Sequence, residues 1–189
     1  MSSSTVARIG LATALTSFAA SAPVEAQTVT RNTIQVEHVR VESAKSYADA
    51  KLALEKRVPK FDDRIRVLLH YKETERLKTE LARLPGEDGL VIFSTASHGD
   101  WLEIAGGRRN AVQYVIGNVL TAMQMIRHQL PAALYAPLRV VLYENEKGTA
   151  TFEYDRPSTL FGQFGDERVT AVARDLDAKI ERALVKASE

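Results

Sequence analysis

The sequence predicts an α+β fold. It is a two-layer sandwich whose sheet, mixed or antiparallel and of about five strands, carries helices packed on one face. Three observations lead there. Short runs of strand composition are interspersed with longer runs of helical spacing, in the order strand, helices, two strands, helix, hairpin, helix. The segment Asn145-Glu146-Lys147-Gly148 between two apolar runs is a hairpin signal, so that part of the sheet is antiparallel. The last segment carries a continuous apolar stripe, Val169, Val172, Leu176, Ile180 and Leu184, which is a helix face that needs a surface to cover.

Each element has its own justification. Thr33–Glu42 has strand composition with imperfect alternation. Ser46 resembles a helix N-cap, with Asp49 completing a weak capping box, and Tyr47, Ala50, Leu54 and Val58 follow at helical spacing until Pro59 stops the run. Phe61 to Leu84 is again helical, with one stripe at Ile65, Leu68 and Leu69 and another at Leu77, Leu81 and Leu84. The charges between the stripes read as solvated helix surface, and Pro85-Gly86 ends the segment. Leu90–Phe93 is a short, fully apolar run, a central strand, and Ala111–Gly117 is another. Val119–Gln129 places Leu120, Met123 and Ile126 at helical spacing, a buried helix. Pro131 and Pro137 bracket a connector, and Leu138–Tyr143 and Thr149–Tyr154 are the arms of the hairpin.

Composition bounds the function. The chain has 189 residues, a prior for one domain with at most a short appendage. With 25 basic and 24 acidic residues the net charge is +1, which lacks the basic footprint of a nucleic-acid binder. No cysteine is present, which excludes disulfides, thiolate zinc sites, iron–sulfur clusters and covalent haem attachment through CxxCH. No cofactor is indicated. Residues 1–26 read as a signal peptide: Arg8 precedes an uncharged run from Ile9 to Ala22, and Val24-Glu25-Ala26 offers small residues for cleavage before Gln27. The run is shorter than the ~20 apolar residues that a stable span needs, although a retained N-terminal anchor and a disordered N-terminus are the alternatives. The expectation is therefore a periplasmic or secreted protein. Residues 27–189 form one domain with no integral membrane segment after cleavage.

Four segments carry a likeness to a known family: Ser97–Gly106 (SHGDWLEIAG), Ala111–Asn118 (AVQYVIGN), Leu134–Glu144 (LYAPLRVVLYE) and Phe152–Gly165 (FEYDRPSTLFGQFG). From about Val36 to Leu184 the chain resembles the domain of unknown function 302 family. The most specific parts are Ile116-Gly117-Asn118, the strand start Ala136-Pro137-Leu138-Arg139-Val140, and Tyr154-Asp155-Arg156-Pro157-Ser158. The resemblance implies a small α+β domain that pairs into homodimers and assigns it no biochemical role. Two positions depart from the family pattern. Val119 stands where Pro usually follows Gly-Asn, and Ser97 stands where an acidic residue usually precedes the histidine.

The candidate ligand-binding residues are His98, Asn118, Tyr135 and Arg139. His98 follows a central strand in Ser97-His98-Gly99-Asp100, where Asp100 could orient the imidazole. The bland reading is a turn histidine, and the nucleophile elbow of a serine hydrolase is missing. Asn118 precedes an apolar helix, where it serves as an N-cap or as part of an anion site. His98 and Asn118 share a cleft if their preceding strands run parallel, with Tyr135 closing it and Arg139 supplying charge. If the strands are antiparallel neighbours, the two residues emerge at opposite ends. Met125 and His128, three apart on the predicted helix, offer only two metal ligands, and methionine at helical spacing is more often core filler. Glu153 and Asp155 share a strand face, where they could act as an acid–base pair or simply face solvent. The leading expectation is a non-enzymatic small-ligand-binding or assembly module. A hydrolase using His98 as general base, or a copper- or haem-handling protein using His98, Met125 and His128, are the alternatives.

Overall fold

The computed structural model describes residues 27–189, and Thr33–Glu189 form one compact unit. The expected signal peptide lies outside the described residues. Five strands form one sheet: β1 (His38–Glu42), β2 (Val91–Ala96), β3 (Ala111–Gly117), β4 (Leu138–Glu144) and β5 (Ala150–Asp155). Their spatial order is β1-β5-β4-β3-β2, and every neighbouring pair is antiparallel. Among the described residues seven helices accompany it: α1 (Tyr47–Arg57), α2 (Ile65–His70), α3 (Thr74–Arg83), α4 (His98–Trp101), α5 (Val119–Ile126), α6 (Pro157–Phe161) and α7 (Glu167–Ser188). No helix among the described residues is long and apolar enough to cross a membrane.

Period-two alternation decides the two faces of the sheet. Val112, Tyr114 and Ile116 of β3, Leu138, Val140 and Leu142 of β4, and Phe152 and Tyr154 of β5 are buried beneath the helices. Side chains on the opposite face of these three strands are exposed or half-buried, apart from Thr151, whose hydroxyl accepts from Asn145 Nδ2 in the hairpin. The helix layer meets the sheet through Ala50 and Leu54 of α1 and through Val169, Ala173, Leu176, Ile180 and Leu184 of α7. Tyr114 adds a directed contact, its hydroxyl donating to Glu55 Oε1 of α1 at 3.0 Å. Burial pushes the Tyr114 hydroxyl up, and the neighbouring Glu55 carboxylate adds to the effect, so it remains a donor.

Ser46 caps α1 as its spacing indicates, accepting the Asp49 N–H and donating to the Asp49 carboxylate. The single helix expected over Phe61–Leu84 is broken. Lys72 adopts φ 58°, and α2 and α3 lie on either side of it. Each of the two stripes therefore docks separately, and Leu69 is left exposed while Leu68 is buried. Strand β2 runs from Val91 to Ala96 rather than Leu90–Phe93, and its register shifts between Ile92 and Ser94. Strand β1 is shorter than expected because its partner ends at Asp155 and the chain turns at Arg156-Pro157 into α6. Helix α5 ends at Ile126 instead of Gln129, where the N–H groups of His128 and Gln129 both reach Met125 O. Its buried positions are Thr121 and Met125, four apart, while Met123 is exposed.

The long connection between β2 and β3 does hold a short helical segment, α4 followed by a 3₁₀ turn over Leu102–Ala105, and Gly106 at φ +87° ends it. It does not cross the sheet. Trp101, Leu102 and Ile104 are exposed, so nothing draws it down onto a sheet face, and the chain returns as a hairpin. Gly99 closes the base of that hairpin. A Cβ there would stand 1.9 Å from Arg109 O, so only glycine admits this backbone approach.

Candidate functional site

The antiparallel β2–β3 pair separates the two leading candidates. Val91 pairs with Gly117 and Ala96 with Gln113, so Asn118 leaves at one end of the sheet and His98 at the other. Five residue steps of about 3.3 Å put roughly 17 Å of strand between those ends. The shared His98–Asn118 cleft is therefore absent. His98 is exposed at the start of α4, and no side-chain hydrogen bond to it occurs among the described residues. Asp100 accepts from Arg108 Nη2 at 3.1 Å instead of orienting the imidazole.

Asn118 is the N-cap of α5. Its Oδ1 accepts the Thr121 N–H at 3.0 Å, and its Nδ2 donates to Gly89 O at 2.9 Å, tying the start of α5 to the turn before β2. It also lines a cleft of about 270 Å³ at the sheet end where β3 stops and β4 starts. Gly117, Phe93, Ala136 and Pro137 form one wall of this cleft, and Val119, Ala122 and Met123 of α5 form another. Met125, Leu138, Phe161 and Leu176 bring core side chains to its lining. The Ala136–Pro137 peptide is cis, and a Cβ on Gly117 would meet Pro137 Cβ at 3.2 Å and Phe93 Cε2 at 3.5 Å. The bare glycine is what keeps this wall recessed. Two segments that carry the family resemblance, Ile116-Gly117-Asn118 and Ala136-Pro137-Leu138, thus meet at one surface.

Arg66 of α2 is the one charged residue in the lining among the described residues. Its guanidinium lies 5.2 Å from the centre of the Phe61 ring, and Phe61 stacks on Phe93 at 5.0 Å. Arg66 Nε donates to Asp63 Oδ1 at 2.9 Å, and both side chains of that pair are largely exposed. The sequence reading passed over Arg66 because a lone arginine on a charged helix gives no local signal.

Tyr135 and Arg139 do come together, with Pro137, Leu138 and Asp155, in a small depression of about 50 Å³. It shares Pro137 and Leu138 with the larger cleft. Tyr135 packs edge-on against Phe161, which lines the larger cleft, at 6.0 Å, and does not itself line that cleft. Met125 is fully buried in the cleft lining, and His128 lies beyond the end of α5. Among the described residues no three His, Cys, Asp or Glu side chains group as metal ligands.

A second polar constellation occupies the uncovered sheet face. His38 of β1 places Nε2 2.9 Å from Glu153 Oε2 and Nδ1 3.0 Å from Asp155 Oδ1. Glu153 also accepts from Arg40 Nε at 2.7 Å and from the Tyr143 hydroxyl at 2.6 Å. Hydrogen bonds to Asp155 and then to Glu153 raise the His38 pKa above its ordinary value. Burial pushes the Glu153 carboxyl up, but the donors Tyr143, His38 and Arg40 outweigh it and hold the group below its usual range. Glu153 and Asp155 do share a face, as their spacing indicates, and they stitch the edge strand to the sheet.

An antiparallel α+β sandwich with an apolar cleft at one sheet end defines a class of small domain rather than a chemistry. The sequence signature of the domain of unknown function DUF302 matches residues 65–187, and the chain belongs to that family. The fold is similar to that of the crystal structure of the uncharacterized conserved protein DUF302 from Bacillus stearothermophilus. The TM-score is 0.57 at 18% identity, covering 79% of this chain and 97% of that one. No curated protein matches the chain.

Proposed function

We propose that this protein is an exported, non-enzymatic module that holds a compact apolar ligand in the cleft beside Gly117 and Pro137. It would work as a homodimer in the periplasm or outside the cell. The observation that carries the reading is the cleft itself, about 270 Å³, lined among the described residues almost wholly by apolar side chains, with a single charged residue, Arg66. Small-ligand sites have this character: concave, mostly apolar, with few polar groups. The side chain of Asn118 is engaged at both ends, its Oδ1 accepting the Thr121 N–H as the cap and its Nδ2 donating to Gly89 O, so it serves the wall and not the chemistry of the cleft. Export rests on the uncharged run before Val24-Glu25-Ala26. Pairing rests on the family resemblance and on Trp101 and Ile104, 69% and 81% exposed, which a second copy would cover.

The test is a ligand titration with a filled cleft as control. Short n-alkanols should bind the protein saturably by ligand-observed NMR. Ala122→Phe, which places a ring from α5 into the space, should abolish that binding while leaving the thermal midpoint close to that of the parent. Saturable binding that survives in Ala122→Phe, or no saturable binding to the parent, would remove the reading.

A further inference from the structure

Resting on that reading of the cleft, we infer that its ligand is a compact monocarboxylic acid, with the chain or ring in the cleft and the carboxylate on Arg66. Among the described residues Arg66 is the only titratable side chain in the lining, so the electrostatic preference of the site is for an anion. The guanidinium is held in place by a platform that is part of the cleft. It lies over Phe61, Phe61 stacks on Phe93, and Phe93 forms the wall. Its Nε is used by Asp63, whereas neither Nη donates a hydrogen bond among the described residues. The outer edge of the guanidinium, two parallel N–H groups, is therefore free to take a carboxylate bidentately. Asp63 does not satisfy the charge in advance, because its side chain is 84% exposed and water screens the pair.

One guanidinium matches a single negative charge. A phosphate monoester would bring a second charge and a third strong acceptor oxygen, for which the lining supplies no further cation. Size sets the other limit. At the ~30 Å³ that a water-sized unit occupies in liquid, the cleft holds about nine non-hydrogen atoms. That is the scale of an eight-carbon chain or of a phenyl ring with a short acidic arm.

Octanoate, 1-octanol and octylamine share one chain and differ at the head. Isothermal titration of the protein at pH 7 should show octanoate binding about ten-fold tighter than 1-octanol, with octylamine weakest, since a charge-assisted hydrogen bond adds to the same apolar contact. In Arg66→Met, octanoate should fall to the level of 1-octanol while 1-octanol itself is unchanged. Arg66 is exposed, so its replacement leaves the core intact, and the unchanged alcohol is the internal control. Equal affinity for acid and alcohol, or an acid preference that survives in Arg66→Met, overturns the carboxylate assignment and leaves the apolar cleft standing. Absence of binding by all three overturns the cleft reading as well.

Discussion

Replacing Asp88 by Asn should destabilise the protein by about 2–3 kcal/mol, and the structure shows why. The Asp88 side chain is 1% exposed in the turn before β2 and meets two guanidiniums, Arg57 at the end of α1 and Arg182 on α7. Arg182 Nε donates to Oδ1 at 2.7 Å and Arg57 Nη2 donates to the same oxygen at 3.1 Å, while Arg57 Nε takes the other oxygen. Three elements are pinned at one carboxylate. Removing one partner of a buried pair costs about 3–5 kcal/mol. Here Arg57 and Arg182 are 22% and 49% exposed, so water screens the charges left behind and the cost drops below that range, to about 2–3 kcal/mol. Burial pushes the Asp88 carboxyl up, but the hydrogen bonds from Arg57 and Arg182 prevail and hold it below its usual range. A group with a depressed folded pKa contributes its stability above the unfolded value, about 4, and loses it as pH falls toward the folded value. Urea denaturation of both proteins, followed by far-UV circular dichroism from pH 7 to 2.5, reads this directly. The gap should be full at pH 7 and should shrink below pH 4. A gap under about 0.5 kcal/mol at pH 7, or one that stays flat into acid, would refute the argument.

Two further outcomes are expected. His38 has a raised folded pKa, so its contribution is fully present below about pH 6.5 and is lost as pH rises through the folded value. The groups that face it are Asp155 and Glu153, with Arg40 and Tyr143 on the same Glu153 carboxylate. The parent should therefore lose more stability than His38→Gln between pH 5.5 and 8.5, and superimposable pH profiles in urea would contradict this. Leu176 is 4% exposed on α7 and reaches the cleft lining, so Leu176→Ala should cost about 2–5 kcal/mol by the same assay. A loss in the surface range, under about 0.5 kcal/mol, would show that the α7 stripe is not core.

Local chemistry made most of the fold legible. The Ser46 cap, the Asn145–Gly148 hairpin and the α7 stripe each follow from a few adjacent residues, and each is present in the structure. Legibility stopped where the decision was not local. The helix over residues 61–84 has continuous helical composition, and its break falls at Lys72, at φ 58°, where no glycine or proline announces it. Helix α6 was missed although Pro157 stands at its first position, because five residues give no periodicity to read. Gly99 looked like an ordinary turn residue. Its need for contact with Arg109 is visible only once β2 and β3 are side by side.

The site shows the same boundary more sharply, because it depends on strand direction. Asn118 was identified from its place before an apolar helix, and its cap and its position at a cleft are both real. Pairing it with His98 required β2 and β3 to run parallel, and a connection from Ser94 to Asn110 is long enough for either outcome. What decided between them is the surface of that connection. A crossover must bury an apolar face on the sheet, and Trp101 and Ile104 do not. Once β2 turns back, the end of the sheet near Asn118 is shared by the beginning of β2, the end of β3 and the beginning of β4. Gly117, Phe93 and Pro137 then become neighbours, and α2 brings Arg66 to the space between them. The same antiparallel order sets β1 on the outer edge of β5, where His38 meets Glu153 and Asp155. One choice of strand direction therefore removes the cleft expected at His98, builds the apolar one at Gly117, and sets the paired carboxylates against His38.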